Sequence, residues 1–200
     1  MRPLAASLAV AVAGATVLWQ ATDGLSALTT EAARRVAALR EARSVPAVMI
    51  ETMTGGRETL PPGDGRAAVV EFIYTSCPDI CQAAGDELAR LRDRIADEPL
   101  VGRVRLVSLS FDPARDTPER MAEYGRWHDA DGTLWTVARP GAGALPALLG
   151  AYGVTVIPDR MGGFVHNTAL HVVSPEGRLV AILDMDDMDG AVKALEKVLR

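Results

Sequence analysis

Cysteine is scarce in this sequence: Cys77 and Cys81 are the only two among 200 residues. Two thiols are too few for a disulfide framework or for a four-cysteine zinc site. Lysine is confined to Lys193 and Lys197, and histidine to His128, His166 and His171. The net charge is −5 and no basic cluster occurs, so nothing supplies the electrostatic footprint of a nucleic-acid binder. Internal repeats and long low-complexity tracts are missing too. What remains is 48% hydrophobic, ample for a core, and of a length suited to one domain plus an appendage.

Both cysteines fall in the stretch Tyr74-Thr75-Ser76-Cys77-Pro78-Asp79-Ile80-Cys81. The apolar run Ala67 to Tyr74 before it reads as a buried strand. Gln82 to Ile95 after it carries Leu88, Leu91 and Ile95 at helical spacing. Pro78 suits the first turn of that helix, where a missing N–H costs nothing. The sulfurs therefore belong to a helix N-terminus, whose free N–H groups favour thiolate over thiol. Residues four apart share one helix face, with Cβ atoms about 5–6 Å apart. That spacing permits a disulfide, and it equally lets two thiolates hold one soft metal ion. A purely structural bridge is disfavoured, because closing so short a loop removes little chain entropy.

At the N-terminus, Arg2 precedes the apolar stretch Pro3 to Trp19. It matches a signal peptide or a short anchor. Trp19 stands where cleavage would want a small residue, which favours an uncleaved anchor over residues 1–22. The rule that positive charge stays inside then leaves Arg2 in the cytoplasm and sets Trp19 at the interface. The expected location is a bacterial inner membrane with the domain in the periplasm, or export. Glu31 to Arg43 reads as a helix within a juxtamembrane linker, 23–44, expected as a solvated spacer.

Residues 45–200 form the globular part. Val45 to Met53 reads as a strand, and Thr54 to Gly65 as turns. The cysteine-bearing strand and helix follow, then a strand at Val104 to Phe111. A helix to His128 is capped by Thr117 with Pro118, or by Asp116 with Glu119. Thr133 to Ala138 reads as a strand and Ala144 to Tyr152 as a helix, followed by an irregular segment, Gly153 to Val165. Asn167 to Ser174 and Leu179 to Leu183 make a hairpin around Pro175-Glu176-Gly177. Asp189 is expected to cap the last helix. This α/β order resembles a thioredoxin-like fold with a hairpin inserted near the C-terminus, its chemistry beyond the carboxyl ends of the strands.

A third functional group has three histidine candidates. His128 at a helix end suits a simple C-terminal cation. His166 and His171 are five apart, so on one strand they would face opposite ways. His166 follows the glycine-rich segment and can ride on a loop; His171 lies inside a strand. Spacing alone leans towards His166 without deciding.

Thr75-Ser76-Cys77-Pro78-Asp79-Ile80-Cys81 resembles the TxCPxxC motif of the Sco/SenC family of copper-binding, thioredoxin-like proteins. Ser110-Phe111-Asp112-Pro113-Ala114-Arg115-Asp116-Thr117-Pro118-Glu119 resembles that family's S-x-D-P-x-x-D-T-P-E. His166, nine residues before Pro175 and followed by Gly177, fits the third motif. The resemblance implies one copper ion bound by Cys77, Cys81 and His166. It implies delivery of copper to the binuclear copper site of cytochrome c oxidase, or reduction of that site's cysteines. The partners it implies are an oxidase subunit as copper acceptor, a thiol–disulfide exchange partner, and the membrane. Thiolates suit Cu(I), and imidazole serves either copper oxidation state. Asp112 and Asp116 would support the site from behind, although capping explains Asp116 as well. The sequence departs from the family at Asn167, usually Ser, at His171, where an aromatic is common, and at Gln82, where proline often stands. The competing reading is a thiol–disulfide oxidoreductase using Cys77 and Cys81 without metal. The spacer of three residues argues mildly against it, and a one-cysteine peroxidase ranks last.

Overall fold

Every side chain from Ala67 to Ile73 is buried, as a central strand covered on both faces requires. The computed structural model describes residues 2–77, 80–96 and 99–200. In chain order the helices are α1 Arg2–Ala21, α2 Thr30–Arg40, α3 Ile80–Ala96, α4 Pro118–Trp127, α5 Leu145–Tyr152 and α6 Met188–Val198. The strands are β1 Arg43–Ser44, β2 Val48–Thr52, β3 Arg57–Leu60, β4 Ala67–Ile73, β5 Val104–Ser110, β6 Trp135–Pro140, β7 Val156–Pro158, β8 Phe164–His166, β9 Leu170–Val173 and β10 Arg178–Leu183. The main sheet runs β1-β10-β9-β4-β5-β6-β2-β3, and β7 and β8 form a separate pair. β4, β5 and β6 are parallel neighbours, while β9 pairs antiparallel with β4. Parallel neighbours need crossovers, and α3 and α4 supply them.

Two apolar layers sandwich the sheet. Leu88, Leu91 and Ile95 of α3 and Leu195 of α6 pack with Val69, Leu106 and Trp135 on one face. Tyr124, Leu148 and Tyr152 pack with Val70, Phe72 and Val137 on the other. This is the mixed α/β, thioredoxin-like arrangement expected. The β9–β10 hairpin turns at Pro175-Glu176-Gly177, with Gly177 at φ +73°.

Several local expectations change. The expected strand Val45 to Met53 shortens to β2, which pairs with β3 and β6 at the far edge, while β1 just before it pairs with β10. Pro46, which cannot donate to a ladder, stands in the gap. The turn-rich segment holds β3, folded back on β2 around Gly55 at φ +79°. Its glycines punctuate a hairpin rather than a loop. The segment after Gly153 likewise contains the β7–β8 hairpin. Asp187, not Asp189, caps α6 by accepting from the Gly190 N–H; Asp189 pairs with Arg94. Thr117 with Pro118 caps α4 as expected.

The helix α2 is not a solvated spacer. It lies along β10 with Ala38 buried, and the Arg34 Nη1 donates to the Tyr152 carbonyl at 2.8 Å. The α1 helix exposes Leu8, Val10, Val17 and Trp19. Among the described residues no helix is long and apolar enough to cross a membrane.

Gly85 marks where α3 meets α4. A Cβ there would stand 2.6 Å from both His128 Nε2 and the Tyr124 hydroxyl. An alanine in mid-helix normally gains up to about 1 kcal/mol over glycine. Overpacking against two buried rings outweighs that, so Gly85→Ala is expected to lose about 1 kcal/mol net and to lower Tm by roughly 3 °C. A raised Tm on thermal denaturation would mean that the rings yield.

Candidate metal centre

The strand β4 delivers the chain to the sheet's carboxyl edge, where the Cys77 N–H donates to the Tyr74 carbonyl at 3.2 Å. Cys77 precedes α3 and Cys81 lies in its first turn, so only one of the two sulfurs is helical. The expected placement of Pro78 falls outside the described residues, as does Asp79. The Cys81 N–H, one of the unpaired donors of a helix start, points at Cys77 Sγ at 3.3 Å. Both cysteines are unbonded thiols and both are buried. Burial pushes the Cys81 thiol well above its ordinary range, with the neighbouring Cys77 adding to the effect. The helix N-terminus does not make Cys81 a thiolate, because desolvation outweighs it.

The third element is the β7–β8 hairpin. Its pairing sets Val156 opposite His166 and Pro158 opposite Phe164. Phe164 and His166 share the inward face by strand alternation. Phe164 stacks edge-on against Tyr74 and Phe111, with centroids 5.2 and 5.5 Å away. The His166 ring packs on Phe111 at 4.8 Å and brings Nε2 to 3.8 Å from Cys81 Sγ. Nδ1 lies 3.3 Å from the Asn167 carbonyl, which can only accept, so the proton belongs on Nδ1 and the Nε2 lone pair faces the sulfur. Burial lowers the His166 pKa below its usual value, opposed by that carbonyl, and the ring is neutral at neutral pH. Asn167 fixes the strand end through bonds with Thr155 N at 2.7 Å and Gly153 O at 3.2 Å.

Behind both parts stands the 110–119 segment. The Asp116 carboxylate accepts from the Thr75 N–H at 3.1 Å and from the Thr75 hydroxyl at 2.6 Å. It also accepts from the Ser110 hydroxyl. Asp116 is fully buried and is not the helix cap. Asp112 holds Arg115, whose Nη1 donates to the Gly162 carbonyl at 2.6 Å and whose guanidinium lies 5.2 Å from the Phe164 ring centre. One short segment thus braces the cysteine loop with Asp116 and the histidine hairpin with Arg115. Arg139 supports the segment in turn, donating to the carbonyls of Pro113 and Asp116. The tie through Arg115 was not legible in the sequence, where its only signal is membership of the motif.

The other histidines are elsewhere. His171 is buried in β9 with Nδ1 3.0 Å from the Val70 carbonyl and the ring against Phe72 and Tyr152. His128 sits between Asp86 and Gln82, 3.1 Å from each. It is a buried clamp between α3 and α4 rather than a plain surface cation.

Two donors at bond lengths of about 2.3 Å (sulfur) and 2.0 Å (nitrogen) from one ion, at a trigonal angle, stand roughly 3.7 Å apart. The observed 3.8 Å between Cys81 Sγ and His166 Nε2 fits that span. Among the described residues no three such side chains are already arranged to hold a metal ion. The arrangement is therefore a thiol–imidazole pair with a second thiol held against the start of α3. Soft sulfur and neutral imidazole suit copper, and the paired thiols also suit disulfide exchange.

Comparison with known proteins places these features in context. The SCO1/SenC family model matches residues 53–200. A Stutzerimonas stutzeri protein named for copper binding is 29% identical over 142 residues, covering 68% of this chain and 67% of that protein. The human mitochondrial SCO1 homologue is 23% identical over 150 residues, covering 72% of this chain and 49% of that one; the chain thus spans about half of its length. Among solved structures, Arabidopsis thaliana ScoI with copper bound is 25% identical, with a TM-score of 0.66 over 76% of this chain and 98% of that one.

Proposed function

The chain belongs to the SCO1/SenC family, and from that premise we propose that it is a copper chaperone of cytochrome c oxidase assembly. It takes one copper ion on Cys77, Cys81 and His166. It passes the ion to the binuclear copper site of an oxidase subunit or reduces that site's thiols. The observation that carries this reading is the imidazole Nε2 poised 3.8 Å from Cys81 Sγ with its lone pair towards the sulfur. Metal must displace the proton that burial holds on Cys81, so uptake releases protons. His166 rides on a two-strand hairpin outside the main sheet, so it can withdraw without disturbing β4. That separation gives an acceptor a way to take the third coordination position. The exposed apolar residues of α1 attach the domain to the inner membrane on its periplasmic side.

The test is copper titration of the full chain and of His166→Ala. Losing a direct ligand should cost at least the 10–100-fold in affinity that losing a supporting residue typically costs. Cu(II) should suffer more than Cu(I), which the paired thiols still hold. Equal affinities would remove His166 from the site. The second reading, metal-free thiol–disulfide exchange, draws on two unbonded thiols, with the Cys81 N–H 3.3 Å from Cys77 Sγ. It requires His166→Ala to keep its full rate of disulfide reduction while copper has no effect on partner oxidation.

A further inference from the structure

A groove of about 400 Å³ opens between α2, β10 and α6. Its walls are apolar, from Leu39, Val180, Leu183, Ala194 and Val198. Its rim carries Arg40, Lys193 and Lys197, and no carboxylate lines it. The two lysines are the only ones in the sequence. Neither has a hydrogen-bond or ion-pair partner among the described residues. Standing four apart on α6, they share one helix face. Arg40 reaches the other way, pairing with Asp23 just past the end of α1. Arg40 and Asp23 also border a shallow cleft beside Trp19, itself 61% exposed. The groove therefore lies next to the end of the apolar helix.

These features select a ligand by chemistry. A soluble anion would have no use for apolar walls, and a neutral hydrocarbon none for unpaired lysines. An amphiphile with an anionic head uses both, and the position beside α1 makes the membrane its source. We propose that the groove binds an anionic phospholipid of the membrane to which α1 attaches the chain. The head group lies on Lys193 and Lys197, and an acyl chain runs along the apolar floor. The lipid would fix how the copper domain leans over the membrane surface. This rests on the membrane attachment proposed above.

The test is flotation of the full chain with phosphatidylcholine vesicles, with and without phosphatidylglycerol. It is paired with electron paramagnetic resonance of spin-labelled phosphatidylglycerol for lipid contact. Each lysine near an anionic surface contributes about fivefold in affinity. The double variant Lys193→Gln/Lys197→Gln should therefore lose roughly twentyfold of the preference for phosphatidylglycerol while still floating with neutral vesicles. Ala194→Phe fills the groove without changing charge and should lower the immobilised fraction of the labelled lipid. Thermal melting of each variant checks that the fold is intact. Equal binding to both vesicle types overturns the proposal, as does an unchanged lipid signal in Ala194→Phe, which would reduce the lysines to diffuse surface charge. A chain that floats with neither vesicle would instead sink the attachment by α1, and the lipid site with it.

Discussion

Replacing Asp116 with alanine is expected to destabilise the protein by about 4 kcal/mol and to weaken copper uptake with it. Three donors converge on this carboxylate: the Thr75 N–H, the Thr75 hydroxyl and the Ser110 hydroxyl. The site is fully buried, so water cannot replace the lost acceptor without opening the structure. A buried donor left without a partner costs about 1–3 kcal/mol, and bonds to a charged acceptor lie at the upper end. Even with partial relaxation the sum is several kcal/mol. The functional loss follows from position. Thr75 is two residues before Cys77, so releasing it frees the loop that sets one sulfur against the helix start. Asp116→Asn keeps the shape and one good acceptor, and should recover about half the stability. Urea denaturation and Cu(I) competition on the two variants would check this. An alanine variant within about 1 kcal/mol of the parent would show that the loop holds itself.

How much of this was legible beforehand depends on whether a feature is local. The strand and helix flanking the cysteines are contiguous, and the patterns of burial and spacing gave them, although Cys77 falls before the helix and not in its first turn. The Asp116 tie spans 41 residues of sequence, and capping offered an equally good local explanation. His166 and His171 could not be separated by strand alternation, because that argument assumes one strand. They occupy β8 and β9, in different sheets. Glycine misled twice: Gly55 and Gly162 mark hairpin turns inside segments that read as loops. The docking of α2 was hidden because its buried face holds only Ala38, with the polar reach of Arg34 completing the contact. A helix held by one small side chain and a guanidinium looks solvated to any hydrophobic pattern.

Two buried groups that the copper chemistry does not use should dominate stability against pH, with opposite signs. Glu71 points from β4 into the α3 face of the core, where its Oε1 accepts from Ser108 and its Oε2 has no hydrogen-bond partner among the described residues. Burial raises its pKa from 4.5 to about 7, with the Ser108 bond opposing. The folded state therefore binds a proton that the unfolded state releases between pH 4.5 and 7. Stability falls as pH rises through that window, by about 3 kcal/mol in all. His171 runs the other way. Burial first, and then the Arg34 guanidinium 3.4 Å from Nε2, lower its pKa from 6.5 to about 4. Here the unfolded state binds the proton, so stability rises with pH between 4 and 6.5 by a similar amount. From pH 4.5 to 6.5 the two slopes cancel, and the parent protein should show a nearly flat profile. Glu71→Gln removes one slope and exposes the other: its stability should climb by about 3 kcal/mol from pH 4 to 6.5. At pH 8 it should exceed the parent by about the same margin, since only the parent must bury a charge. Denaturant midpoints measured across pH 4 to 8 for both proteins decide the matter. Parallel profiles would mean that Glu71 reaches water and titrates alike in the folded and unfolded states.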